Sequence, residues 1–162
     1  MKPSENNNLA SQLTLQANVL TDIMLSIFRL NARLLGKGDQ LVAPLNLTSA
    51  RWQVIGAIAL AGQPLTAPQI ADAMGITRQG VQKQLNRAQG EGLIEMYANP
   101  RHERSPLYDL SKTGRKAYNE ASILQAEWAK ALVRGESLTD LNSTLNLLIT
   151  LEANLESTPL PS

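Results

Sequence analysis

Five polar side chains, Arg78, Gln79, Gln82, Lys83 and Asn86, sit at relative positions 0, 1, 4, 5 and 8, a spacing that puts them on one stripe of a helix. Arginine and lysine donate to guanine acceptors, and glutamine and asparagine pair bidentately with adenine, so these types suit reading base edges in the major groove. The stripe contains no carboxylate. Solvated helix faces ordinarily mix both charge signs, and a plain solvated face is the alternative reading. Thr77 before the stripe and Arg87 after it complete the candidate DNA-binding set on this segment. A second set, Arg101, His102 and Arg104, lies in the turn-rich stretch Ala98–Pro106, where arginines at a loop tip can meet phosphate or enter a minor groove of strong negative potential.

The elements needed to position these residues are legible around them. Ile70, Ala71, Ala73 and Met74 have the spacing of a buried helical stripe, Gly75 supplies a tight turn, and Thr77 is the expected N-cap of the next helix. Val81, Leu85 and Ala88 mark that helix's core face. Gly80 weakens it by about 1 kcal/mol against alanine, and permits close approach either to phosphate or to the preceding helix. Leu93–Tyr97 and Leu107–Leu110 alternate as half-buried strands do. Helix, turn, polar-faced helix and hairpin give a winged helix-turn-helix over residues 47–110, within a fold that is mainly α with a small β-hairpin wing.

Long helices are expected on both sides. Leu9, Leu13, Leu20, Ile23, Ile27, Leu30 and Leu34 form one apolar seam; Ala117, Ala121, Leu124, Trp128 and Ala131 form a second; Leu138, Leu141, Leu145, Leu148, Leu151 and Leu155 form a third. Ser137 or Thr139 opens the last helix and Gly135 closes its predecessor. Amphipathic helices gain most of their stability by burying such seams. Three of them exceed what one winged helix needs, so residues 9–35 and 111–157 read as a dimerisation region; packing within one bundle is the alternative. Gly36-Lys37-Gly38-Asp39 reads as a connector, and the first few residues and the tail 158–162 as disordered.

Composition narrows the function. The chain of 162 residues has no cysteine and one histidine, which removes disulfides, thiol chemistry and cysteine zinc sites and leaves no ligand cluster for a metal and no triad or P-loop for catalysis. No cofactor is expected. No apolar run is long enough to span a membrane and the start is polar, so a cytoplasmic location is expected. The formal net charge of +1 hides an asymmetry: residues 78–116 hold eight Lys/Arg against four Asp/Glu, and residues 117–162 hold two against six. A basic middle is the footprint of a nucleic-acid contact. Met24, Phe28, Trp52 and Tyr118 are candidates to line an apolar ligand cleft, with Arg51 or Arg29 holding a carboxylate; ordinary core or helix surface is the other reading.

Leu47-Thr48 through Trp52-Gln53-Val54-Ile55, the helix-turn-helix, Gly92-Leu93-Ile94, and Arg104-Ser105 leading to Leu110-Ser111-Lys112-Thr113-Gly114 together resemble the MarR family of bacterial transcription regulators, over roughly residues 45–116. The resemblance implies an obligate homodimer on pseudo-palindromic double-stranded DNA, often responsive to a small aromatic or anionic ligand. Arg104 matches the family's wing arginine, but His102 stands where that family has an acid, with Glu103 beside it, and Met96 replaces a commonly basic residue. The expected function is a sequence-specific regulator, a repressor released by a small ligand. The alternative is a winged-helix protein-interaction module, which would display aromatic or aliphatic anchors on the face that carries Arg78 and Gln79.

Overall fold

The computed structural model describes residues 3–160, with side chains at position 12 and from 14 to 160. Helix α1 (Pro3–Val42) is followed by a 3-10 turn (Ala43–Leu45), α2 (Ser49–Ala61), β1 (Leu65–Thr66), α3 (Ala67–Met74), α4 (Arg78–Gly90), β2 (Ile94–Tyr97), β3 (Leu107–Leu110), α5 (Lys112–Leu132) and α6 (Leu138–Ser157). The chain divides into two units, Met1–Leu124 and Gln125–Ser162. Among the described residues no helix is long and apolar enough to cross a membrane.

The winged-helix core is built where periodicity places it, except at Ala73, which is exposed on α3. Val54, Ile55 and Ile58 of α2, Ile70 of α3, and Val81 and Leu85 of α4 are fully buried, and Leu93, Ile94, Tyr108, Leu110 and Ala121 close the cluster. Each large aliphatic side chain so buried contributes about 1.5–3 kcal/mol. Helices α2, α3 and α4 pack on one another, and α2 and α4 also pack on the sheet.

That sheet has three strands, in the order β1-β3-β2, all antiparallel. The hairpin pairs Ile94 with Leu110 and Tyr97 with Leu107, within a residue of the expected strands. The third strand was not expected: Leu65-Thr66 pairs with Leu107-Tyr108. It ties the start of the helix-turn-helix to the root of the wing.

Helix α1 differs from its expectation in length. It starts at Pro3 and continues through Gly36-Lys37-Gly38-Asp39, which is not a connector. The cause is tertiary. A Cβ on Gly38 would stand 2.5 Å from Ser49 Oγ, so glycine lets α1 lie against the start of α2. Ser49 Oγ donates to the Leu35 carbonyl (2.8 Å) and Ser49 N donates to Asp39 Oδ1 (2.6 Å), and these bonds hold the segment helical despite two poor helix formers. On the first seam, Leu20 and Ile23 are half-buried and Ile27, Leu30 and Leu34 exposed; Leu9 and Leu13 lie outside the described side chains. On the third seam Leu138, Leu141, Leu145, Leu148 and Leu155 are exposed. Ser137 is the N-cap of α6, accepting from Asp140 N. Of the expected tail, 158–160 follow α6 without regular structure, and 161–162 lie outside the described residues.

Candidate nucleic-acid interface

Two glycine-and-cap junctions set the angle of α4. Thr66 and Gln69 form a reciprocal capping box at the start of α3, in which each satisfies an otherwise unpaired amide of the other. Gly75 ends α3 at φ +61, the left-handed conformation glycine adopts freely. Thr77 then caps α4, accepting from Gly80 N at 3.1 Å. A Cβ on Gly80 would lie 3.0 Å from Thr77 Oγ1, so the close approach at Gly80 is to the cap hydroxyl rather than to the preceding helix.

With Val81, Leu85 and Ala88 wholly buried, α4 turns its opposite face outward. Arg78, Gln79, Lys83 and Asn86 are exposed and Gln82 is half-buried. Arg78, Gln79 and Gln82 share one open cleft with Arg104, Ser105 and Pro106 of the wing and with Ala67 and Pro68 at the start of α3. Arg101 and His102 line a second cleft, against Pro64, Thr66 and Gln69. Among the described residues, Arg78, Lys83, Arg101 and Arg104 pair with no protein carboxylate, the ion pairs being made by Arg51, Arg87, Arg115 and Lys116. Glu103 takes part in none of them, so the acid beside His102 does not brace Arg104. Arg87 differs from its neighbours: its Nε donates to Glu91 Oε1 at 3.2 Å.

The wing loop is organised by a residue absent from the candidate set. Asn99 is buried; its Nδ2 donates to the Ser105 carbonyl at 2.8 Å and its Oδ1 accepts from Arg101 N at 3.0 Å. His102 N and Ser105 N continue the turn by donating to the carbonyls of Asn99 and His102. The signal was the dipeptide Asn99-Pro100, since an asparagine side chain closes a turn on the backbone two residues on. On the outward face of the hairpin, Glu95 and Asp109 stand directly opposite each other. Like charges so placed repel, and each is offset: Arg115 Nη2 donates to both Asp109 carboxylate oxygens at 2.8 and 3.0 Å, and the Tyr97 hydroxyl donates to Glu95 at 2.5 Å. The hydrogen bond to Glu95, followed by partial desolvation and the two carboxylates, pushes the Tyr97 pKa up from its ordinary 10.0.

The ligand-cleft candidates stand differently. Arg51 is not free to hold a ligand carboxylate, because its guanidinium is buried and already paired with Glu91. Trp52 packs beside Gly38, Tyr118 lies over Gly56, and both are partly buried against the core. Met24 and Phe28 are 44% and 67% exposed on α1, and Arg29 bonds to Ser26 on the same helix.

The MarR family pattern matches residues 45–105, the segment that carries this interface. A Mycobacterium tuberculosis protein described only as uncharacterized is 36% identical over 118 residues, spanning 73% of this chain and 77% of that protein. A MarR/EmrR family transcriptional regulator from Acinetobacter has the same fold, with a TM-score of 0.77 at 17% identity over 86% of this chain and 99% of its own. A mutant MarR from Escherichia coli complexed with operator DNA superposes with a TM-score of 0.66 at 20% identity, over 82% and 97% of the two chains. This chain therefore belongs to the MarR family of winged helix-turn-helix transcription regulators.

Proposed function

We propose that the protein is a cytoplasmic, sequence-specific repressor that acts by occupying a pseudo-palindromic operator as a homodimer. In this reading α4 enters the major groove, and Gln79, Gln82, Lys83 and Asn86 meet base edges. The wing follows the backbone or the adjacent minor groove through Arg104 and Arg101. The observation that carries the reading is the cleft in which Arg78, Gln79 and Gln82 of α4 meet Arg104 of the wing, whose two arginines form no ion pair among the described residues. The E. coli neighbour, complexed with operator DNA, supports it by fold. The face of α4 shows no aromatic or aliphatic anchor of the kind a protein-docking version would need. We extend the proposal to a small aromatic or anionic effector, which acts only by preferring one separation of the two reading helices.

Selection of genomic fragments by the purified protein tests this. Enrichment of two inverted half-sites is expected. On the enriched site, Arg104→Ala should weaken binding to specific and unrelated duplexes alike, and lower the slope of log affinity against log salt by about one for the lost phosphate contact. Failure to enrich any sequence, or an unchanged salt slope in Arg104→Ala, would contradict the proposed interface.

A further inference from the structure

Gln82 does not face the groove as a free amide. Its Nε2 donates to Asn86 Oδ1 at 2.8 Å, one turn along α4, and to the Tyr108 hydroxyl at 3.2 Å. A glutamine amide has two N–H donors and one carbonyl acceptor, so these bonds occupy both donors. Tyr108 is no accidental partner. It sits on β3, the central strand of the sheet, paired with Leu65 on one side and Met96 on the other, and it is 3% exposed. Its ring is locked in the core, and its hydroxyl therefore holds a fixed point under α4. Asn86, whose carbonyl oxygen receives the other Gln82 N–H, is left with Nδ2 as its outward group.

We infer that Tyr108 is a specificity-positioning residue, which fixes the Gln82 amide so that it presents only its carbonyl oxygen to the DNA. The inference rests on the reading of α4 as the base-reading helix. A lone acceptor in the major groove recognises a base-edge donor, and the donors there are adenine N6 and cytosine N4. Gln82 thus reads an amino base, A or C, over a keto base, G or T, on the strand it faces. It does not make the bidentate pair with adenine expected of an unconstrained glutamine, because the N–H needed for adenine N7 is already used. Asn86 offers the complementary donor one helical turn away, toward an acceptor such as guanine O6 or N7.

Three variants carried through the same randomised-site selection test this. Wild type should show one position per half-site that admits A or C and excludes G and T on one strand. Gln82→Ala should lose preference at that position alone. Tyr108→Phe keeps the ring in the core and removes only the hydroxyl, so it should relax the same position by about threefold to tenfold, the worth of one hydrogen bond, while affinity for unrelated duplex stays unchanged. Gln82→Glu presents acceptors only and should keep the amino-base preference, shifted toward C. If Gln82→Ala relaxes a position that Tyr108→Phe leaves intact, or if that position prefers G or T, the positioning role is overturned while α4 remains the reading helix. If Gln82→Ala leaves the selected site unchanged, Gln82 reads no base and this inference fails, and the reading of α4 fails with it only if Gln79→Ala and Lys83→Ala also leave the site unchanged.

Discussion

Glu91 gathers two arginines at the end of α4. Its carboxylate pairs with the buried Arg51 from α2 and with Arg87 one turn earlier on its own helix. Arg51 is 5% exposed and its Nε finds no acceptor among the described residues, so the guanidinium depends on Glu91 for compensation. Removing one partner of a fully buried pair costs about 3–5 kcal/mol; Glu91 is 35% exposed, and water screens part of that. Glu91→Ala is expected to destabilise the fold by about 2 kcal/mol, read as a lower urea midpoint at unchanged m-value, with Arg87→Ala costing well under half as much. Equal losses in the two variants would show that Arg51 is not the group Glu91 serves. The sequence offers Arg51 or Arg29 to a ligand carboxylate, and nothing near Arg51 in the chain shows that it is already held by a partner 40 positions away. Long-range pairing is invisible to local spacing. The exposed positions of the α4 stripe, Arg78, Gln79, Lys83 and Asn86, are legible by contrast, because Val81, Leu85 and Ala88 fix the helix rotation by themselves, whereas the bond from Gln82 to Tyr108, 26 positions away, is not.

Elements with local instructions were readable, and those made by tertiary contact were not. Thr77, Ser137 and Gly75 sit at helix ends as capping chemistry predicts, and strong periodicity marked α4 and the hairpin. A two-residue strand such as β1 has no period to read; it exists because β3 offers it an edge. Helix α1 passes through two glycines because packing at Ser49 outweighs their propensity. Among the helical glycines, Gly114 shows the same principle most sharply. A Cβ there would stand 1.9 Å from the Leu93 carbonyl oxygen, at the junction where Ser111 N also donates to that oxygen and Ser111 Oγ donates to the Gly92 carbonyl. This stitch holds α5 against the turn that links α4 to the wing. Backbone oxygen cannot swing aside as a side chain can, so Gly114→Ala should cost about 3 kcal/mol. Gly80→Ala meets only the Thr77 hydroxyl, and its gain in helix propensity offsets the weakened cap, leaving stability within about 1 kcal/mol of wild type. Thermal unfolding of the two variants checks the contrast, and similar losses in both would contradict it.

The charge asymmetry and the exposed seams bear on the proposed homodimer. Net charge near zero hides a basic middle and an acidic C-terminal third, an arrangement that in the proposed complex directs the duplex to one part of the chain. Ile27, Leu30 and Leu34 on α1, and Leu141, Leu145 and Leu148 on α6, are apolar side chains left exposed in a single copy; in the proposed dimer they are covered by the second. Leu145 is 55% exposed within one chain, so Leu145→Asp should leave each subunit folded. In the dimer it would place an uncompensated charge in an apolar interface, and dissociation and loss of operator affinity should follow together, with no DNA-facing residue changed. A folded Leu145→Asp dimer with wild-type affinity would remove α6 from the interface. Two-fold symmetry then requires the two α4 helices to meet half-sites about 34–36 Å apart, one turn of the duplex. Sedimentation of the wild-type chain with duplexes carrying one or both selected half-sites measures this directly. A free dimer and two chains on the full site, with much weaker binding to the single half-site, are expected; a monomer that binds one half-site as tightly as the full operator would contradict the homodimeric mechanism.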